Sequence, residues 1–283
     1  MPPRPKAATA WSARKRLSAS AVVPAIVTLT TDFGLRDPYV AAMKGVLRTG
    51  CAALQIDDLS HDLPPQDIAA ASRFLADALP WYPPGTLHLA VIDPGVGTAR
   101  HPLALRAAGR FLLGPDNGIF GLILQHWPLE EARRIEHPAV LRSPVSPTFH
   151  GRDVFAPAAA ALAAGLPFEM LGPPVSALTA LPLPHTESQP DGSIRGQVVH
   201  VDHFGNCITN IPLPADSGTA EGTVWVGQDL CLHMHRTYGE VLPGAPLALR
   251  SSGGMLELAV REGSAAVVLG IQPGVALVYR PAS

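Results

Sequence analysis

The sequence predicts an α/β fold in two parts, an N-terminal domain on a largely parallel sheet followed by a small all-β domain. Three observations carry this. Between Ala25 and about Leu171 β-rich runs alternate with helical stretches, Gly172–Ser193 is dense in proline, and beyond it short β-like runs are separated by Gly- and Pro-containing turns. A chain of 283 residues, 47% hydrophobic and 16% charged, can bury a core in each of two modest domains.

Taken in order, residues 1–24 hold Arg4, Lys6, Arg14, Lys15 and Arg16 and no acidic residue, which leaves a charge of about −7 on the remainder. This stretch is expected to be a disordered extension, because its apolar run, Ala21 to Leu29, passes directly into the first strand. An acidic remainder excludes a nucleic-acid binder, and no run approaches the roughly 18 apolar residues that a membrane span needs.

The first domain is assigned to 25–172, with Ala25–Thr30 and Leu87–Ile92 as buried strands. Between them Ile68, Ala71, Phe74, Leu75 and Leu79 recur at helical spacing, and Pro83, Pro84 and Gly85 close that helix. A second helix is expected from about Val154 to Ala164, ended by Gly165 and Pro167. Pro173, Pro174, Pro182, Pro184 and Pro190 mark 173–193 as a linker. In 194–283 the runs Gln197–Val201, Thr223–Val226, Leu230–Met234, Met255–Val260, Ala266–Leu269 and Ala276–Tyr279 read as strands of a barrel or sandwich, with no internal repeat. Cys51, Cys207 and Cys231 are far apart and lack metal-type spacing, so neither disulfides nor zinc are expected and a cytoplasmic location fits.

Five polar loops are candidates for chemistry, four of them expected just past strand ends. They are Thr31-Asp32-Phe33-Gly34, Asp93-Pro94-Gly95-Val96-Gly97-Thr98-Ala99-Arg100, Pro115-Asp116-Asn117-Gly118, Phe149-His150-Gly151-Arg152-Asp153 and, in the β domain, Asp202-His203-Phe204-Gly205-Asn206. Gly95-Val96-Gly97 fails as a dinucleotide fingerprint because Arg100 stands where the third glycine belongs. No Gly-Lys-Ser/Thr loop, Gly-x-Ser-x-Gly elbow or His-Glu-x-x-His helix occurs, which removes P-loop NTPases, esterases and zinc proteases. Asp32-Phe33-Gly34 matches the kinase magnesium tripeptide in letters only, with no catalytic loop upstream. His233 and His235 share a strand face but lack a third ligand, so no metal is assigned. Asp37, Asp62 and Asp67 read as helix caps, Asp116-Asn117-Gly118 as either a turn or a functional loop, and Arg152 with Asp153 as a helix-start ion pair.

In this order, and completed by Thr209-Asn210, the five loops closely resemble the S-adenosylmethionine hydroxide adenosyltransferases, a family that includes fluorinating and chlorinating enzymes acting at the same ribose carbon. The resemblance spans about Ile26 to Tyr279. It implies an α/β domain followed by a β-barrel, homotrimers with substrate held between neighbouring subunits, S-adenosyl-L-methionine as the small-molecule substrate, and no cofactor. It also implies a catalytic trio, here Asp93, Arg100 and His150. The halogenating branch has tyrosine at the position of Asp93 and, in fluorinating members, serine at that of Gly151, so both departures point to water. Substrate contacts carried over are Asp32 to the ribose hydroxyls, Asn206 to the adenine edge and Phe149 and Phe204 as walls. Asp202, Ser252 and Glu257 fall at the methionine end, and Gln66 stands where the halogenating enzymes have tryptophan.

The implied reaction is hydrolysis to adenosine and methionine by in-line attack at ribose C5′. A sulfonium leaves as a neutral thioether, so no general acid is needed and the work is to align a nucleophile. Asp93 and His150 are expected as acceptors that orient water and take its proton late. The alternative has Arg100 stabilising a bound hydroxide, with Asp93 orienting the guanidinium. A halide-using enzyme and a non-catalytic S-adenosylmethionine- or adenosine-binding protein are the rival functions.

Overall fold

The structure, a computed structural model, describes residues 26–214 and 221–282; the basic stretch 1–24 lies outside them. The chain divides into two compact units between Ala180 and Leu181.

The first unit opens with β1 (Ile26–Thr31), α1 (Tyr39–Gly50), β2 (Gln55–Ser60), α2 (Ile68–Ala78) and β3 (Leu87–Val91). It continues with β4 (Pro102–Ala107), β5 (Arg110–Pro115), β6 (Leu129–Arg134) and α3 (Ala156–Ala163). The six strands form one sheet in the order β2-β1-β3-β5-β4-β6. The β1–β2, β1–β3 and β3–β5 pairs are parallel, and β4 runs antiparallel to β5 and β6. All of β3 is buried, as expected for a central strand covered on both faces. Alternation along it divides the core: Leu89 and Val91 pack with Met43 and Leu47 of α1 and with α3, whereas Ala90 packs with Ala71 and Leu75 of α2.

The α2 helix matches the expected spacing and begins at Asp67, whose side chain accepts from Ala70 N at 2.8 Å. Asp37 is not a cap, since α1 begins without a side-chain cap. The helix expected over 154–164 is α3, preceded by a π-turn, Gly151–Phe155. The first part of the proline-rich segment is tied to this unit, with Val175 N on Ala132 O and Thr179 N on Asp116 Oδ1.

The second unit comprises β7 (Glu187–Ser188), β8 (Ile194–Val201), β9 (Cys207–Pro212), β10 (Gly222–Val226), β11 (Leu230–His235), β12 (Pro246–Arg250), β13 (Met255–Val260), α4 (Ala265–Val268) and β14 (Ala276–Pro281). Strand order β14-β10-β11-β12-β13-β9-β8 closes through β14–β8 into a barrel, and β7 extends it beside β8. The interior is filled by Val198, Ile211, Val224, Leu256, Leu258 and their neighbours. One expected strand is wrong: Ala266–Leu269 lies in α4 and the residue after it. Ser264 caps this turn by accepting from Val267 N, and Gly270 follows at φ +65. Those end signals outweigh the β preference of Val267 and Val268, which lie exposed.

Among the described residues all three cysteines are free, and no helix is long and apolar enough to cross a membrane.

Candidate active site

Strands β1, β3 and β5 lie side by side and parallel, so the loops leaving their carboxyl ends share one edge of the sheet. These loops carry Asp32, Asp93 and Asp116. The loop with His150 does not follow a strand; it enters the π-turn ahead of α3, a backbone irregularity common at functional sites.

The loop after β3 folds back on itself, with Val96 N on Asp93 O and Thr98 N on Gly95 O. Gly97 sits at φ +77, where a Cβ would lie 2.6 Å from Pro147 O, so glycine lets this loop dock against the chain leading to His150. Docking brings the three expected catalytic residues together. Arg100 Nε donates to Asp93 Oδ1 at 2.8 Å, and its Nη2 donates both to Asp93 Oδ2 and, at 2.8 Å, to His150 Nδ1. The Asp93 and Arg100 side chains are almost wholly buried, and the guanidinium carbon stands 5.6 Å from the Phe155 ring centroid. Arg100 Nη1 is buried without a hydrogen-bond partner among the described residues.

This geometry revises the part expected of His150. A guanidinium has no lone pair to offer, so Nδ1 is the acceptor and the proton of the neutral ring is on Nε2. Burial and then the Arg100 charge push the imidazole below its ordinary range, outweighing Asp93 and Asp153, which keeps it neutral at pH 7. His150 is thus a donor at Nε2, and both Asp93 oxygens are engaged by Arg100. The His150 acceptor expected to take a proton from water is already committed, and each Asp93 oxygen carries one bond from Arg100.

The neighbouring side chains are fixed by the same loops. Phe149, Phe33 and Tyr39 make three edge-on contacts with centroids 5.3–6.0 Å apart, linking the Asp32 loop to the His150 loop. Asp32 is half-buried, and its Oδ2 accepts from Gln66 N at 2.8 Å. Asp153 is buried and held by Arg152 at 2.7 Å, by Ser146 N and by Arg142, an ion pair that braces the loop as expected. Its bonds to Arg152 lead the causes that hold its carboxyl below the usual range. The Asp116-Asn117 side chains hold backbone, through Thr179 N and Ile92 O, which is the turn-forming reading.

In the second unit, Asp202, Phe204 and Asn206 share one turn. Asp202 Oδ1 accepts from Phe204 N and Asn206 N, and its Oδ2 accepts from Asn206 Nδ2 at 2.9 Å. That bond identifies the Asn206 amide nitrogen as engaged and leaves its Oδ1 to accept. Phe204 is 75% exposed, too much for a core residue. With Asn206, Tyr238, Val260, Glu262 and Gly263 it lines an open pocket of about 560 Å³. Glu257 is buried on β13 and accepts from Tyr238 Oη at 2.6 Å. Burial raises its carboxyl above the ordinary range, Asp202 adds to this, and the Tyr238 bond opposes it. Ser252 is exposed on the turn between β12 and β13. Tyr39 and Tyr238 are absent from the expected contacts, since each belongs to no motif and reaches its cluster only through the fold.

Residues 27–172 match the family described as SAM hydroxide adenosyltransferase N-terminal domain, and residues 196–278 match its C-terminal domain. The chain is 48% identical over 261 residues to a Thermus thermophilus protein named (R)-S-adenosyl-L-methionine hydrolase, covering 88% of this chain and 96% of that one. A Salinispora tropica protein of the same name is 40% identical over 254 residues, covering 88% and 95%. The crystal structure of an uncharacterized conserved protein from Thermotoga maritima is similar with a TM-score of 0.83 and 33% identity, covering 90% of this chain and 99% of that one. With both parts matched and the sheet-edge constellation in place, the chain belongs to the SAM hydroxide adenosyltransferase family.

Proposed function

We propose that this enzyme hydrolyses S-adenosyl-L-methionine to adenosine and L-methionine, by in-line attack of a water-derived oxygen at ribose C5′. The observation that carries the reading is the row Asp93–Arg100–His150, two buried side chains and a half-buried imidazole joined by hydrogen bonds. Binding alone has no need of such a row. The named relatives act on the (R) sulfonium epimer, so the (R) form is expected to turn over faster here as well.

The geometry favours a bound hydroxide over late proton transfer. Arg100 Nη1 and His150 Nε2 are both donors, and two donors suit an anionic oxygen better than neutral water. Asp93 then orients the guanidinium. As the oxygen bonds to C5′ the carbon–sulfur bond breaks, its electron pair stays on sulfur, and one proton per turnover is released to solvent. Methionine leaves neutral at sulfur, so neither acid nor Lewis acid is needed, and no cofactor is assigned.

Asp32 is read as the acceptor for the ribose diol, with Phe149 walling the nucleoside and Asn206 Oδ1 and Phe204 receiving the adenine. Asp202 and Glu257 place two carboxylates near one another, an arrangement a cation relieves, which fits the methionine ammonium; Ser252 is read at its carboxylate. We further propose a cytoplasmic homotrimer in which the Asp93 cluster of one subunit works with the Asn206 cluster of its neighbour. Halide use is disfavoured because Asp93 and Gly151 stand where the resemblance gives the halogenating branch a tyrosine and its fluorinating members a serine, and a side chain added at Gly151 would come within 3.0 Å of Met43 Sδ.

Chromatography of products tests the reading. Equal amounts of adenosine and methionine are expected, in protein stripped with chelator as well, and Asp93→Ala should abolish both. Methylthioadenosine or S-adenosylhomocysteine as the product would refute it.

A further inference from the structure

Beside the assigned cluster lies a buried imidazole without a part in it. His61, 6% exposed, follows β2 and faces the end of β1. Its Nδ1 is 2.8 Å from Thr31 Oγ1 and its Nε2 is 3.1 Å from Asp58 Oδ1. Asp58 Oδ2 is in turn 2.5 Å from Lys44 Nζ on α1. Burial raises the Asp58 carboxyl, but bonds from Lys44 and His61 outweigh it and hold the group below its usual range.

The donor inventory gives this row a direction. Nε2 lies 3.1 Å from Asp58 outside hydrogen-bond geometry, but the ionised carboxylate still favours the ring proton on that nitrogen, which leaves Nδ1 to accept from the Thr31 hydroxyl. The Thr31 oxygen keeps lone pairs for Phe33 N, 3.3 Å away, and Gly34 N donates to His61 O at 2.7 Å. Asp32 lies between these anchored residues. Its own Oδ2 takes the Gln66 amide from the same β2–α2 loop, with Gln66 at φ +65, a conformation costly to any residue but glycine.

We propose that His61 is a positioning residue for Asp32, acting through Thr31, and that the row from Lys44 to Thr31 aims this carboxylate at the ribose diol. The inference rests on the reading of Asp32 as the diol acceptor. A carboxylate holding hydroxyls remote from the breaking bond binds ground and transition state alike, so its misalignment raises KM and leaves kcat.

Steady-state kinetics on S-adenosyl-L-methionine and on its 2′,3′-dideoxyribosyl analogue, which lacks the diol, tests this in the full-length protein. His61→Phe is expected to raise KM for the ribosyl substrate about tenfold, with kcat and the analogue's KM changed by less than about twofold. His61→Asn, whose amide reaches the place of Nδ1, should recover most of the loss. If His61→Phe fails to fold, Thr31→Val, which removes only the relayed hydroxyl, is expected to show the same ribose-selective loss. An equal rise on both substrates, or none on either, overturns the proposal. Asp32→Ala separates the two readings: if it keeps the ribose preference, the reading of Asp32 fails. If Asp32→Ala loses that preference while His61→Phe and Thr31→Val keep it, the relay alone fails.

Discussion

Arg100 organises its neighbours by having only protons to give. It uses the single lone pair of His150 Nδ1 and puts one bond on each oxygen of Asp93, so the imidazole is not free to serve as a base and the carboxylate is a weakened one. A consequence is open to pH-rate measurement. Burial and Arg100 displace the His150 titration below its ordinary 6.5, so a rise in rate above that pH belongs to the nucleophile. Even zinc lowers the pKa of water only from about 15.7 to about 7, so an oxygen held by a guanidinium and an imidazole ionises above neutrality. kcat is therefore expected to climb by up to tenfold per unit between pH 7 and 10, and to do so in His150→Gln as well. A plateau already reached at pH 6.5 would restore late proton transfer.

The elements that hold this row are two loops and the π-turn, and their junction is Gly97 against Pro147. Gly97→Ala brings both a left-handed strain and a backbone clash, each of the kind that costs about 1–3 kcal/mol. It is expected to lower the urea midpoint and to cut kcat at least about tenfold, since misplacement of a reacting group by an ångström is that harmful. Wild-type kcat with lowered stability would show that the docking only braces the fold. Elements with strong local signals were legible in the sequence: β3 as an apolar run, α2 from its spacing and cap, and the second domain from its turns. Strand β2 was not, because Gln55, Asp57 and Asp58 spoil the pattern and its edge position tolerates them. α4 was misread because two valines in a four-residue turn carry less information than the serine ahead of them. Asp93, Arg100 and His150 were legible as a motif set, but the donor role of His150 exists only in the folded geometry, as do the parts of Tyr238 and His61.

At the scale of the whole molecule, the residues assigned to one substrate are divided between two units. If neighbouring subunits complete each other's sites, co-expressed Asp93→Ala and Asn206→Ala chains, each inactive alone, are expected to form mixed trimers with part of the wild-type activity. Activity no greater than that of the separate variants would place each site within one chain. The division also explains why the sequence spoke clearly about fold and chemistry but not about assembly, since the motifs mark both halves and carry no sign of which subunit supplies each. The central claim is that a water-derived oxygen attacks ribose C5′ and expels methionine. Turnover of (R)-S-adenosyl-L-methionine in ¹⁸O-labelled water tests it directly: the account predicts one labelled oxygen on the 5′ carbon of the adenosine formed, and unlabelled adenosine would contradict it.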